Sequence, residues 1–350
     1  MADRQEIFSG TQPVKERHRI DGARLETWMR ANVPGFAGTL AVEQFRGGQS
    51  NPTYRVEAGG TRYVVRRKPP GQLLASAHAV DREYRVLTAL QGTGVPVPRT
   101  YALCTDEAVI GTWFYVMECV EGRVLWEPHL PGCTPAERFA IYDSLCETLA
   151  RLHSVDWKAL DLGDFGRPGN YFARQLSRWT KQYVASQTEA VPEMDALMAW
   201  LPHSIPPGDE TTLIHGDFKL DNTILHPTEP RVIAILDWEI STLGHPLGDF
   251  TYLCMPWLEG GAFAELDLES YGLPTLDAYA AAYCRRMGRA AIESFDWYAA
   301  YQMYRSACIY QGILGRVRDG TASSDNASTI ADVVPTLASR AWAIARRLGA

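Results

Sequence analysis

The spacing of apolar residues changes character near residue 120, and that change restricts the fold more than any other feature of the chain. Before it the alternation is that of strands. Val42 and Phe45 precede a Gly47-Gly48 turn, Tyr54 and Val56 alternate up to Gly59-Gly60, and Tyr63-Val64-Val65-Arg66 reads as a third strand. Another runs from Trp113 to Val120. One helix interrupts, at about 79–91. Its Val80, Glu83, Leu87 and Leu90 fall three, four and three residues apart and so share a face. Glu83 therefore sits on an apolar stripe, where a carboxylate is costly unless it meets a cation. Beyond 120 helical spacing takes over. Ile141, Leu145, Leu149 and Leu152 mark a stripe ending at His153, a histidine of the core or of the helix end. Short strands return only at 223–226 and 232–236, and about 249–350 reads as helix. Residues 1–35 read as a helical lead-in that Leu25 and Trp28 dock to the body. A β-rich first third joined to an α-rich remainder implies an α+β fold of two lobes with a cleft between them.

The 350 residues suit one large domain or two modest ones, at about 100–200 residues each. A net charge of −7 argues against a nucleic-acid partner, which calls for a basic stripe. Seven scattered cysteines without a C-x-x-C pair read as reduced thiols of a cytoplasmic protein. No run approaches the ~18–20 apolar residues of a membrane span, and polar Met1–Arg17 is no secretory signal. No membrane partner is expected. The sequence holds no G-x-x-x-x-G-K-[ST] loop, no H-E-x-x-H and no G-x-S-x-G.

The chemistry concentrates in His215-Gly216-Asp217-Phe218-Lys219-Leu220-Asp221-Asn222 and in Asp237, which ends the apolar strand Ile233–Leu236. Transfer of a phosphoryl group builds charge on phosphate oxygens, needs divalent cations to bridge them, and needs an acceptor for the hydroxyl proton. Asp217 can take the proton. Asn222, five residues later, and Asp237 can supply the hard oxygens that magnesium prefers. The protein-kinase loop H-R-D-L-x-x-x-N has the same spacing from Asp to Asn; here Gly216 replaces the Arg, and Asp237-Trp238-Glu239 replaces Asp-Phe-Gly. The competing explanation is turn and capping carboxylates. The joint pattern favours phosphoryl transfer.

These residues, together with Gly47-Gly48-Gln49-Ser50-Asn51-Pro52-Thr53-Tyr54, Tyr63–Arg66, Glu83 and Gly248-Asp249, carry a resemblance. The chain resembles the aminoglycoside phosphotransferase-like family of small-molecule kinases, most of all the kinase-like branch that occurs fused to acyl-CoA dehydrogenases in animals and free-standing in bacteria. The resemblance spans roughly residues 40–255 well and the C-terminal helices more loosely. It implies a two-lobed protein-kinase-like fold, with a small β-rich N-lobe over 1–117 and a larger α-helical C-lobe over 118–350. ATP and Mg2+ are the implied cofactors.

The resemblance also implies roles. Gly47, Gly48, Ser50 and Asn51 correspond to the phosphate-covering turn. Arg66 stands at the place of the strand lysine that meets the α- and β-phosphates, with Glu83 as its partner and Lys68, of the same parity, as the other candidate. Met117–Val120 resembles the hinge, whose backbone at Glu118 and Val120 would hold adenine. His215 reads as a support of the catalytic loop, and Asp249 as a helix N-cap that steadies it. Trp257, Tyr301, Tyr304 and Arg305 are candidates for the acceptor pocket. Arg305 and Arg316, eleven residues apart, would share a face of a continuous helix and could meet an anionic acceptor. By branch, the implied acceptor is a hydroxyacyl-CoA or related hydroxy compound. Aminoglycosides and amino alcohols are the alternatives; Glu259, Glu265 and Asp267 are near one another but make no clear carboxylate cluster for a cationic substrate. A pseudokinase scaffold that binds nucleotide without transfer is the alternative outside enzymes.

Overall fold

The computed structural model describes residues 4–47, 51–69, 79–258, 260–320 and 332–350. Its helices are α1 (Arg4–Phe8), α2 (Gly22–Asn32), α3 (Val80–Leu90), α4 (Glu107–Ile110), α5 (Pro135–His153), α6 (Tyr171–Ser186), α7 (Pro192–Trp200), α8 (Pro246–Leu253), α9 (Leu268–Tyr271), α10 (Leu276–Met287), α11 (Phe295–Arg318) and α12 (Val333–Arg347). Its strands are β1 (Thr11–Gln12), β2 (Ala41–Phe45), β3 (Thr53–Ala58), β4 (Thr61–Arg67), β5 (Thr100–Cys104), β6 (Phe114–Glu118), β7 (Thr212–Ile214), β8 (Thr223–Leu225), β9 (Val232–Ile235) and β10 (Thr242–Gly244). The chain is α+β and forms two compact units. One takes in the described residues up to Phe165 with His215–Ser241 and Ser270–Leu273, and the other takes in Gly166–Ile214, Thr242–Glu269 and Pro274–Ala350.

The first unit is built on an antiparallel sheet of order β1-β2-β3-β4-β6-β5. Alternation on β3 sends Tyr54, Val56 and Ala58 inward, where they meet Leu25 and Met29 of α2 and Phe114 and Val116 of β6. Trp28 closes this core edge-on against Phe114, with ring centroids 4.8 Å apart. The lead-in is therefore docked by Leu25 and Trp28, but it is not helical throughout. Thr11 and Gln12 pair with Phe45 and Gln44, adding an edge strand to the sheet. A two-residue strand carries no alternation to read, which is why its sequence does not announce it. Helix α3 buries Val80, Glu83, Leu87 and Leu90 on one face. Helix α5 opens with a capping box, Thr134 and Glu137 satisfying each other's backbone N–H. His153 is its last residue and is buried. The β8–β9 hairpin completes this unit.

The second unit is organised around α11. Its Ala299, Ala300 and Ala307 let neighbouring helices come close, and α6, α8 and α12 pack on it. Phe172 of α6 sits among Trp297, Tyr298 and Tyr301, with centroids 5.0–5.2 Å away. Arg305 and Arg316 do lie on one continuous helix, but Arg305 is buried and Arg316 exposed. Among the described residues no helix is long and apolar enough to cross a membrane.

Candidate active site

Within the first unit, a cavity of about 680 Å³ is walled by β-sheet residues Val64, Arg66, Tyr115 and Met117, by Glu118–Val120, and by Asp221, Asn222 and Leu236–Trp238. That volume suits a nucleotide-sized ligand. The strand ends deliver the polar side chains to it. β4 is buried along most of its length, so the Arg66 guanidinium is largely removed from water and needs carboxylates. It finds three. Its Nε lies 2.7 Å from Oε2 of Glu83, its Nη2 is ion-paired to Asp237, and Oε2 of Glu239 is 3.7 Å away. Burial pulls the guanidinium down, but Glu83 and Asp237 more than restore it and hold it above its ordinary range. Glu83, 1 % exposed, also accepts from the Tyr115 hydroxyl at 3.1 Å and the Asn51 amide at 2.9 Å. The same Asn51 nitrogen reaches Glu239 at 3.3 Å. Lys68 points elsewhere, over the Trp113 ring and 3.7 Å from Asp81.

Asp237, two residues past the end of β9, lies in the left-handed region, with φ 64° and ψ 59°. A non-glycine residue is held there at a cost of about 1 kcal/mol or more, tolerated best by Asn and Asp. The bend carries Asp237 off the strand axis onto the cavity wall. Its neighbours anchor the turn: Trp238 donates from its indole to the Ile235 carbonyl at 3.0 Å.

The loop His215–Asn222 is stitched to that strand end. The His215 ring donates from Nε2 to the Leu236 carbonyl at 2.8 Å and accepts the Asp217 N–H on Nδ1 at 3.2 Å, which selects the Nε2–H tautomer. Gly216 has φ 86°, and a Cβ there would sit 3.0 Å from the Ile240 carbonyl, so only glycine fits between these two anchors. Asn222 accepts the Leu236 N–H at 2.8 Å on its backbone, and its side-chain amide donates to Oδ2 of Asp217 at 2.8 Å. Lys219 Nζ stands 3.5 Å from both Asp217 and Asp221. Asp217 is thus tied to the cavity wall through Asn222.

At the far end of the cavity Glu118 is the last residue of β6 and Val120 lies just beyond it. The Glu118 N–H is taken by the Arg99 carbonyl at 2.8 Å, and its carboxylate accepts from Arg99 N–H. Among the described residues the Val120 backbone has no hydrogen-bond partner. Gly47 lines the cavity too. Gly48, Ser50 and Glu259 lie outside the described residues.

Asp249 is not an N-cap. Helix α8 begins three residues earlier, with Pro246 at its first position and His245 capping it by accepting the Leu247 N–H. Proline's fixed φ and missing N–H suit that first position, which moves the cap upstream of Asp249. Trp257, Tyr301, Tyr304 and Arg305, expected to line an acceptor pocket, are buried in the second unit's aromatic core. Trp257 bonds the Pro274 carbonyl and Tyr304 the Thr180 hydroxyl. Tyr115, Asp221 and Glu239 belong to the cavity or its polar cluster, and sequence reasoning assigned them no role. Glu239 could have been found, because it stands two residues past Asp237 in the quoted motif.

Comparison with known proteins identifies the arrangement. Residues 41–284 match the model of the phosphotransferase enzyme family. A crystal structure from Ralstonia eutropha, of a protein described as a candidate aminoglycoside phosphotransferase, superposes with a TM-score of 0.86 at 51 % identity, covering 94 % of this chain and 99 % of that one. A thermostable mutant of aminoglycoside phosphotransferase APH(4)-Ia, in ternary complex with ADP and hygromycin B, superposes at 0.58 with 15 % identity over 93 % of this chain and 98 % of that one, a likeness of fold alone. The rat protein named acyl-CoA dehydrogenase family member 11 is 42 % identical over 98 % of this chain. The chain spans less than half the length of such curated relatives, 45 % of the rat protein and 32 % of mouse family member 10. The fold is the two-lobed, protein-kinase-like α+β fold of these structures, and the chain belongs to the phosphotransferase enzyme family.

Proposed function

We propose that the chain is an ATP-dependent small-molecule kinase, with its N-lobe ending at 117 and its C-lobe beginning at 118. The carrying observation is the hydrogen bond from the Asn222 amide to Asp217, made at the cavity wall that also bears Asp237 and Arg66. In this reading Asp217 receives the proton of the acceptor hydroxyl. The hydroxyl oxygen bonds the γ-phosphorus as the bond to the β,γ-bridging oxygen breaks, and ADP leaves. Arg66 faces the α- and β-phosphates, and Glu83 holds Arg66 in place. Gly47 and Asn51, with Gly48 and Ser50, form the turn over the phosphates. Glu118 and Val120 offer the backbone to the base, and His215 supports the loop.

The donor set suits magnesium. Three carboxylates (Glu83, Asp237, Glu239) gather around one guanidinium, a setting a divalent cation would suit. Asp237 and Asn222 are hard oxygen donors. Among the described residues no three His, Cys, Asp or Glu side chains could cage an ion, so its other ligands would be phosphate and water, as magnesium takes them. When bound, the ion neutralises phosphate charge. Asn222 and Asp237 hold it, and Asp217 stays free to handle the proton.

For the acceptor we favour the hydroxyl of a hydroxyacyl-CoA. The support is the 42 % identity to a chain whose name is that of an acyl-CoA dehydrogenase. Seven free thiols support a reducing, cytoplasmic setting. The test is ADP release from Mg-ATP across hydroxyacyl-CoAs, aminoglycosides and amino alcohols, with Asp217→Ala alongside. A hydroxyacyl-CoA signal lost in the variant is expected. A signal only with a cationic acceptor would overturn the acceptor. Nucleotide binding with silence across the panel would favour a non-catalytic scaffold.

A further inference from the structure

The cavity has one wall that the proposed chemistry does not use. Gln5, Phe8, Ser9 and Gly10 line it together with Trp126. These residues come from the lead-in and from the segment after the hinge, and they are fastened to each other. Gln5 donates from Nε2 to the Val124 carbonyl at 2.8 Å and accepts the Trp126 N–H on Oε1 at 3.2 Å, so one side-chain amide acts as a two-point clip. The Phe8 and Trp126 rings meet with centroids 4.9 Å apart. On its other side the lead-in is sewn to β2 by the β1 pairing and by the Arg46 N–H, which donates to the Gly10 carbonyl at 3.1 Å. The segment therefore spans from the glycine turn to the post-hinge chain. Gly47 lies directly beneath it. A Cβ there would come 3.3 Å from the Phe8 carbonyl and 3.4 Å from the Trp126 ring, so the glycine makes room for the strap as well as for any ligand.

Two properties make this more than packing. Helix α1 has five residues, too few to hold itself in water, so it stays only while its clips hold. And the buried Trp126 indole N–H, on a residue of the cavity wall, has no hydrogen-bond partner among the described residues. A buried donor without a partner costs free energy that a ligand oxygen would return.

We infer that residues 5–10 and Trp126 form a strap that closes over the bound nucleotide, with Trp126 donating to it and Phe8 and Gln5 holding the strap shut. The inference rests on the nucleotide reading of the cavity given above. Because a ligand touching the strap binds only its clipped state, nucleotide and strap must stabilise each other reciprocally.

The experiment uses the full chain. Amide hydrogen exchange of the 4–12 region is followed with and without Mg-ADP, and dissociation of a fluorescent ADP analogue is timed for wild type and Phe8→Ala. Exchange slowed by ADP is expected, with dissociation about fivefold or more faster in the variant, the equivalent of one net hydrogen bond. Should Phe8→Ala lower the melting temperature without nucleotide, Gln5→Ala removes the clip and leaves both rings in place. Bound ADP that neither protects the 4–12 region nor leaves faster from either variant overturns the strap and spares the nucleotide site. Failure of wild type to bind Mg-ADP overturns the nucleotide reading and the strap with it.

Discussion

Arg66 and Arg305 are equally buried, each 7 % exposed, yet their surroundings differ in kind. Arg66 faces carboxylates on a cavity wall: Glu83, Asp237 and, further off, Glu239. Arg305 lies over rings, 4.9 Å from the Tyr252 centroid and 5.7 Å from that of Trp179, with Gln302 at 3.4 Å. Burial of a charge is therefore no sign of a site by itself. What marks the first is a set of carboxylates beside open volume. Around Arg66 three carboxylates gather on a cavity wall. Around Arg305 the guanidinium is part of the packing.

The sharpest way to break this distinction is at the loop beside the first arginine. Asp217→Ala should lower turnover by about 10²–10⁴-fold, the usual worth of a positioned base, while Mg-ADP still binds by calorimetry. A loss of the same size from Tyr304→Phe, in the core that contains Arg305, would erase the difference between the regions. Next comes Glu83→Ala. It leaves Arg66 buried beside fewer counter-charges, and breaking a buried pair this way costs about 3–5 kcal/mol. Urea unfolding measures that loss. A change below about 1 kcal/mol, the level of an exposed pair, would mean that Asp237 and Glu239 suffice for Arg66.

Much of the first region was legible beforehand, and the reason is periodicity. Glu83 could be placed on an apolar stripe, and Arg66 on a strand, because both elements repeat long enough to be counted. Asn222 and Asp237 were legible through spacing within one continuous motif. The second region was not legible in the same way. Tyr301, Tyr304 and Arg305 are chemically rich residues in an apolar helix, and sequence cannot say which rings meet which. Their burial depends on α12, the next helix, and on α6, far earlier in the chain. Asp249 was misplaced for a local reason, since Pro246 marks the helix start better than an acid three residues on. The pairing of Gln5 with Val124 and Trp126 had no signal at all, being a contact 119 residues apart made by a single side chain.

Alkaline titration tests the packed interior of the second unit by a different property. Burial pushes Tyr171 and Tyr183, both of the second unit, up to about 12 from an ordinary 10.0. The folded state thus keeps protons that the unfolded chain gives up. Stability from these groups is whole below pH 10 and is lost as pH climbs through about 12. Tyrosinate absorbance should therefore rise late and together with unfolding. Early, non-cooperative ionisation of these two tyrosines, assigned by Tyr→Phe variants, would show that this core is open to water.

The smallest expected effects test the comparison most directly, because they apply one change at both arginines. Lysine keeps the charge and removes the planar fork. At position 66 a single ammonium cannot reach Glu83 and Asp237 along two different N–H directions, so Arg66→Lys should lose about 1–2 kcal/mol of stability and alter the affinity for Mg-ADP. At position 305 the loss is contact with two ring faces, about 0.5–1 kcal/mol, with Mg-ADP affinity unmoved. Chemical denaturation and nucleotide titration of the two variants, side by side, read both quantities. If Arg305→Lys shifts Mg-ADP affinity as much as Arg66→Lys, the aromatic core takes part in nucleotide binding, and the line drawn between a charged wall and a packed interior is in the wrong place.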